Sequence, residues 1–361
     1  MYRIDKNKEP LCINQHGVVL LCLLMMLFFK PTVSAQICRS GFIESLIGST
    51  SSTVTDADYI LEGNVEITDP QDPNEIVGPA GYDSVGAMNL KRWVSAEQRM
   101  SYTIYFENDA DSATATAIRV EVRLKIPEYA DITSVELGEY GFSNTTFPVT
   151  GSLVNHQKRL NLRNTMGIDV AVIAGIDVVR NEVFWIFEAI DTLTGLPPIG
   201  SMEGFLPIND STHRGEGFVT FSVIPNTHIC HTGDTIPMVA SIIFDVNNAI
   251  ATNTWVNTID AVAPTSTIEV TPNATFDSIL VAFAGQDDAG GCGVKQYRLY
   301  CSMNRGGYQP IGVFTGDSIA AVPIEAGVQY SFLSLAEDNV GNIEPMKSDG
   351  DTIIGVNQVP I

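Results

Sequence analysis

The chain has 361 residues, with 20 Lys and Arg against 42 Asp and Glu and a formal net charge of −22 at pH 7. So acidic a surface is a poor partner for nucleic acid or anionic membrane and a natural one for divalent cations. At this length two domains are expected, each large enough to bury its own core.

Residues 1–35 open with Arg3, Lys6 and Lys8, continue as an apolar run from Gly17 to Phe29, and close on Val33-Ser34-Ala35 before Gln36. That is the pattern of a secretory signal peptide cut after Ala35. The run of 13 residues falls short of the roughly 18 that cross a bilayer. A secreted or cell-surface protein with no membrane span after cleavage is therefore expected. The leader holds Arg3, Lys6, Lys8 and Lys30 against Asp5 and Glu9, so the mature chain keeps 16 bases and 40 acids, a net of −24. Of the 6 cysteines, Cys38, Cys230, Cys292 and Cys301 remain after cleavage. Four cysteines allow three pairings and are too few to frame a protein of this size.

Residues 36–64 read as a linker, polar and Ser/Thr-rich over 44–58. Strands then follow one another. Tyr102, Ile104 and Phe106 alternate with Thr103, Tyr105 and Glu107, and Ile118, Val120, Val122, Leu124 and Ile126 alternate with Arg119, Glu121, Arg123 and Lys125. Alternation with one polar face predicts antiparallel sheet with one side in water. Further strands are predicted at 168–175, 182–190, 216–224 and 237–244, and no stretch carries a helical period. The class is all-β: two tandem immunoglobulin-like β-sandwiches, over 65–263 and 264–355, with a tail at 356–361. The second begins at Pro264 with TSTIEVT and continues through SILVAFAG, VKQYRLYC, GYQPIGVF and VQYSFLSLAED, the spacing of a seven-stranded sandwich.

DPNEIVGPAGY (72–82), YTIYFEN (102–108), DTLTGLPP (191–198), GFLP (204–207), RGEGFVTFSV (214–223) and FDVNNAIATN (244–253) together resemble a module of large secreted bacterial surface proteins. That module opens on Asp-Pro-Asn-Asp/Glu and is related to the conserved-repeat, immunoglobulin-like domains of adhesins. QDDAGGCGV (286–294) and LAEDNVGN (335–342) give the second unit a resemblance to fibronectin type III or bacterial immunoglobulin-like domains. Neither family implies a catalytic residue set. CHTGD (230–234) departs from the first family's pattern, so Cys230 is a local feature.

Immunoglobulin-like topology gathers the incoming chain, the loop after the second strand and the loop before the last at one pole. In the first unit these carry Asp72, Asn74 and Glu75, then Glu107, Asn108, Asp109 and Asp111, then Asp245, Asn247 and Asn248. In the second they carry Asp287 and Asp288, then Asp338 and Asn342, facing Asn257 and Asp260 at the exit of the first. Asp and Asn are also common in tight turns, because they bond their own backbone, so each cluster alone reads as a turn. Their convergence, without Lys or Arg among them, points to calcium, which takes six to eight oxygen ligands. Acids gathered together repel unless a cation joins them.

Other constellations carry less. His228, Cys230 and His231 suit zinc but lack a second cluster to complete four ligands. A Cys292–Cys301 disulfide is disfavoured if 294–301 is extended, since nine residues then span about 25–30 Å against roughly 7 Å for a bridge, and the pairing of the four cysteines stays open. Cys301 then reads as a buried free thiol. Glu188, among Phe184, Ile186 and Ile190, has no visible partner carboxylate to make a glycosidase pair. Trp93, Trp185 and Trp255 suit a core better than a sugar platform. Asn144, Asn209 and Asn273 stand in glycosylation sequons, which matter only in a eukaryotic host. Gly-x-Ser-x-Gly, His-Glu-x-x-His and phosphate-loop motifs are absent from the sequence. The sequence therefore reads as a secreted, non-enzymatic surface protein, an adhesin or spacer stiffened by calcium, whose partner is a surface ligand, protein or carbohydrate. A carbohydrate-binding accessory module of a secreted hydrolase is the first alternative and an enzyme the second.

Overall fold

The computed structural model describes residues 74–273, 277–316 and 319–355. Residues 1–73 and 356–361, which hold the expected signal peptide, linker and tail together with Cys38 and Asp72, lie outside the described residues. The described chain is all-β. Its first half runs β1 (Ile76–Val77), β2 (Trp93–Ser95), β3 (Met100–Glu107), β4 (Arg119–Lys125), β5 (Glu136–Phe142), β6 (Thr145–Phe147), β7 (Asn155–Leu162), β8 (Ile168–Asp177), β9 (Glu182–Ile190), β10 (Glu216–Val223), β11 (Thr235–Met238), β12 (Ala240–Phe244), β13 (Ile250–Ala251) and β14 (Trp255–Asp260). The second runs β15 (Thr265–Pro272), β16 (Ser278–Gln286), β17 (Val294–Met303), β18 (Gln309–Thr315), β19 (Ile319–Pro323), β20 (Gln329–Asp338) and β21 (Thr352–Gly355). Among the described residues no helix is long and apolar enough to cross a membrane.

Alternation decides which side of each strand is buried. In β9 the odd positions Val183, Trp185, Phe187 and Ala189 are buried, while the even positions are only partly covered. β10 repeats the rule with Gly217, Val219, Phe221 and Val223 buried. These inward faces belong to two sheets, β1-β3-β10-β5-β6 and β13-β12-β4-β9-β8-β7. Between them Phe187 meets the rings of Phe106, Tyr140, Phe142 and Phe205 at centroid separations of 5.8, 5.7, 5.9 and 6.0 Å. A third sheet, β11-β14-β2, in which β14 and β2 are parallel, adds Val94, Ile236, Met238, Trp255 and Ile259 to the same core. The second half places β15-β16-β19 opposite β18-β17-β20-β21. It has a separate core of Ile279, Val281, Leu299, Cys301, Val322 and Phe332.

Three expectations change. The strand expected at 237–244 is two strands in different sheets, because the chain leaves β14 after Met238 and joins β4 from Ala240 onward. Residues 255–260, expected as the polar run-out of the first unit, are the strand β14. Asn257 is fully buried there: its amide donates to the carbonyls of Pro79 and Arg92, and its oxygen accepts from the Tyr102 hydroxyl. It therefore pins the 79–92 loop and takes no part in the junction. Cys230, Cys292 and Cys301 are all free, with Cys301 buried as expected.

Candidate metal centre

Two strand ends and one loop meet where the first half hands over to the second. β14 ends on Asp260, the β16–β17 loop carries Asp287, Asp288 and Cys292, and β20 ends on Asp338. Ligating atoms of Asp260, Asp287, Cys292 and Asp338 all lie within 4.8 Å of one another. Calcium–oxygen distances are about 2.3–2.6 Å, so two oxygens on opposite sides of one ion stand about 4.8 Å apart. The four atoms are thus close enough to share a single cation.

Local hydrogen bonding explains why the loops adopt this shape. Asp338 Oδ1 accepts the N–H groups of Val340 and Asn342 at 2.9 and 2.8 Å, winding 338–342 into a turn that Gly341 completes at φ 94°. A positive φ of this kind costs glycine little. The Asn342 amide donates to Asp338 Oδ2 at 2.8 Å and to the Asp260 carbonyl at 3.2 Å, while its oxygen accepts from Ser95 Oγ at 2.7 Å. One side chain therefore ties β20 to both β14 and β2. Asp260 Oδ2 accepts the Cys292 N–H at 2.7 Å, and Asp287 Oδ2 accepts the Gly293 N–H at 2.6 Å. Asn339 closes the loop from the other side, donating to the carbonyls of Cys292 and Gly293 at 3.0 and 2.8 Å.

The electrostatics are those of a crowd of acids. Asp260 and Asp338 are fully buried, and among the described ion pairs none neutralises Asp260, Asp287, Asp288 or Asp338. Burial pushes the Asp287 carboxyl up from its ordinary value, and the charges of Asp260 and Asp288 add to the rise. Burial likewise raises Asp338, with Asp260 again contributing. The Cys292 thiol is raised by burial first, then by the carboxylates of Asp260 and Asp338, so it stays protonated and adds no charge.

Two further observations fit a hard cation. Asp288 Oδ1 is buried with no hydrogen-bond partner. A Cβ placed on Gly291 would lie 2.6 Å from both Asp287 Oδ2 and Asp288 Oδ1, so both carboxylates turn over a bare glycine. Oxygen donors dominate the set, which suits calcium better than a thiophilic metal.

The far pole of the first half is arranged otherwise. Asn74 does reach the β3 exit, accepting the Glu107 N–H at 3.3 Å, and the Glu75 carbonyl accepts from Tyr105 N–H at 2.8 Å. Asp109 is spent on its own turn, with Asp111 N–H and Ser112 Oγ as donors. Asp245 takes the N–H groups of Ile118 and Arg119 at 2.9 and 2.7 Å. Asn247 is exposed, its N–H turning back to the Phe244 carbonyl. Among the described residues, no three carboxylates gather there as they do at the junction.

The remaining candidates settle into plain roles. Cys230 is buried and donates to the Tyr129 carbonyl, and His231 faces Asp234 at 3.6 Å. Glu188 is 40% exposed and lies 3.9 Å from Arg119. Trp93, Trp185 and Trp255 are buried. Cys292, weighed in the sequence only as a disulfide partner, and Asn339 and Ser95, which the sequence does not single out, belong to the junction. Only the Asn of DNVGN, spaced after Asp338, hinted at such a loop.

The profile of one family, a domain of unknown function (DUF7619), matches residues 203–258. That span ends two residues before Asp260. No curated protein matches the chain. Among solved structures, the C-terminal domain of the Streptococcus agalactiae AgI/II polypeptide BspA is similar at 12% identity, covering 74% of this chain and 96% of its own, with a TM-score of 0.35. The C-terminal domain of the Streptococcus pyogenes antigen I/II-family protein AspA is similar at 12% identity over 75% and 97%, also at 0.35. A collagen-binding domain from a Staphylococcus aureus adhesin matches at 5% identity over 53% and 99%, at 0.27.

Proposed function

We propose that this is a secreted, non-enzymatic surface protein, an adhesin or spacer in which calcium held at the junction fixes the second sandwich onto the first. The observation that carries this reading is that Asp260 comes from the last strand of the first half, while Asp287 comes from a loop and Asp338 from the end of a strand of the second. A cation shared by these residues joins segments that otherwise meet through Asn342 and the Cys292 N–H. Bound calcium supplies the positive charge that the crowd of acids lacks. Cadherin-like stiffening of domain junctions works through the same chemistry.

Asp287 is the residue to test, because its two hydrogen bonds are local and burial, with the charges of Asp260 and Asp288, raises its pKa. Asp287→Asn removes a charge from a repulsive group, so in chelator it should melt at or above the wild-type temperature. The same variant should lose most of the calcium-dependent rise. A variant that is destabilised in chelator and still responds fully to calcium would show Asp287 to be an ordinary loop residue.

The domain division goes with this reading. Pro264 opens the second half, which has a core of its own. Residues 264–355 expressed alone should give the circular dichroism of a β-sandwich and a cooperative melt. A disordered spectrum would place the boundary elsewhere.

A further inference from the structure

The outer face of the sheet β1-β3-β10-β5-β6 is lined by small hydroxyl residues, with Ser101 and Thr103 on β3 and Thr220 and Ser222 on β10. Two aromatic side chains interrupt them. Phe218 stands in register with Tyr105 on one side and Gly141 on the other. A Cβ on Gly141 would lie 2.5 Å from Phe218 Cε1. The Phe218 ring thus lies down across bare backbone, where it can offer its other side to solvent. Tyr105, 41% exposed, tilts beside it at 47° with ring centroids 6.4 Å apart. The rings floor an open trough of about 290 Å³ whose rim carries Asn144, Thr145, His213 and Glu216.

Glu216 is held in place at this rim. Its Oε1 takes His213 Nδ1 at 2.5 Å and Asn209 Nδ2 at 3.0 Å, and among the described residues its Oε2 has no partner. An aromatic floor with an oriented carboxylate and hydroxyls at its edge matches one ligand chemistry. The C–H face of a pyranose is weakly positive and stacks on the negative face of an aromatic ring, while its equatorial hydroxyls need acceptors and donors around the rim. A protein partner would call for a broader apolar patch than two rings among serines and threonines.

We infer that this trough is a carbohydrate subsite for a neutral pyranose unit, stacked on Phe218 and Tyr105 and bonded through Glu216. Uronic acids are disfavoured by the Glu216 carboxylate and by the net charge of −22. This names a ligand class for the surface role. The sheet holds none of the junction acids, so the sugar and calcium readings stand or fall separately.

The test is affinity electrophoresis of the full mature chain through native gels containing soluble xyloglucan, galactomannan, glycol chitin or polygalacturonate. At least one neutral glycan should retard the protein saturably, with polygalacturonate inert. Tyr105→Ala and Phe218→Ala should each weaken the retardation about tenfold, the scale of a lost aromatic contact. Tyr105 is exposed, so its variant decides the matter if Phe218→Ala fails to fold. Absence of retardation by all three neutral glycans would overturn the inference. So would retention of full binding by a folded Tyr105→Ala protein, or equal retardation by polygalacturonate.

Discussion

Phe187→Ala should lower the stability of the chain by about 3–5 kcal/mol, the range for removing a large aromatic from a packed core. Phe187 is fully buried and sits at the centre of the aromatic cluster. Its contacts join both sheets of the first half: Phe106, Tyr140 and Phe142 come from one, and Phe187 itself from the other. A void there cannot be filled by a small shift of any single neighbour, because four rings would have to move together. For a unit of this size the loss corresponds to roughly 6–20 °C in melting temperature. Glu188→Ala, one residue along on the outer face, should change the melt by no more than about 1 kcal/mol, since it removes only an exposed and long ion pair. Thermal melts of the two variants followed by circular dichroism make the comparison. Equal shifts would mean that the register of β9 differs from the one described.

Asp338→Ala should be the most damaging substitution at the junction, and its effect should persist in chelator. Three donors lose their acceptor: the N–H groups of Val340 and Asn342 and the Asn342 amide. Each donor is half-buried, and one left unpaired costs about 1–3 kcal/mol when water cannot reach it. Relief of repulsion with Asp260 offsets part of this, so a net loss of about 2–5 kcal/mol is expected. Freed Asn342 also loosens its contacts with Ser95 and the Asp260 carbonyl. Asp338 therefore has a structural task independent of any cation, in contrast to Asp287. A wild-type melt for Asp338→Ala in chelator would show that the 338–342 turn holds without its carboxylate.

Alternation made most of this fold legible. β3, β9 and β10 follow period two closely, because one face of each is buried against the facing sheet and the other is not, while β4 and β8 depart from it where arginines cover Glu121 and Asp169. β7 escaped because its sequence, NHQKRLNL, is nearly all polar. It is an edge strand whose buried contribution is only His156 and Leu160. β14 escaped for the opposite reason. Asn257 and Asp260 are fully buried, and sequence alone does not reveal that the partners of each polar atom lie far away in the chain. Clustering of acids at sandwich poles was legible as a pattern, but which pole gathers carboxylates was not. Asp245 and Asp260 look alike in sequence. One is consumed by the N–H groups of Ile118 and Arg119, the other is turned toward the 287–293 loop. The trough on the outer sheet face could not be read in advance at all, since it depends on Phe218 lying across Gly141 from another strand.

The most direct measurement is the melting temperature of residues 36–361 in chelator, in 10 mM calcium and in 10 mM magnesium. Extracellular calcium modules bind with dissociation constants near 10⁻⁴–10⁻³ M, so calcium should add about 1.4–2.7 kcal/mol at one site. That is roughly 3–11 °C for a unit of this size. Magnesium should give less, because it requires a tighter octahedral shell and gives up its water reluctantly. Asp245→Ala should keep the calcium response, and Asp287→Asn should lose it. Equal shifts with both ions, or none with either, would contradict a cation at Asp260, Asp287 and Asp338.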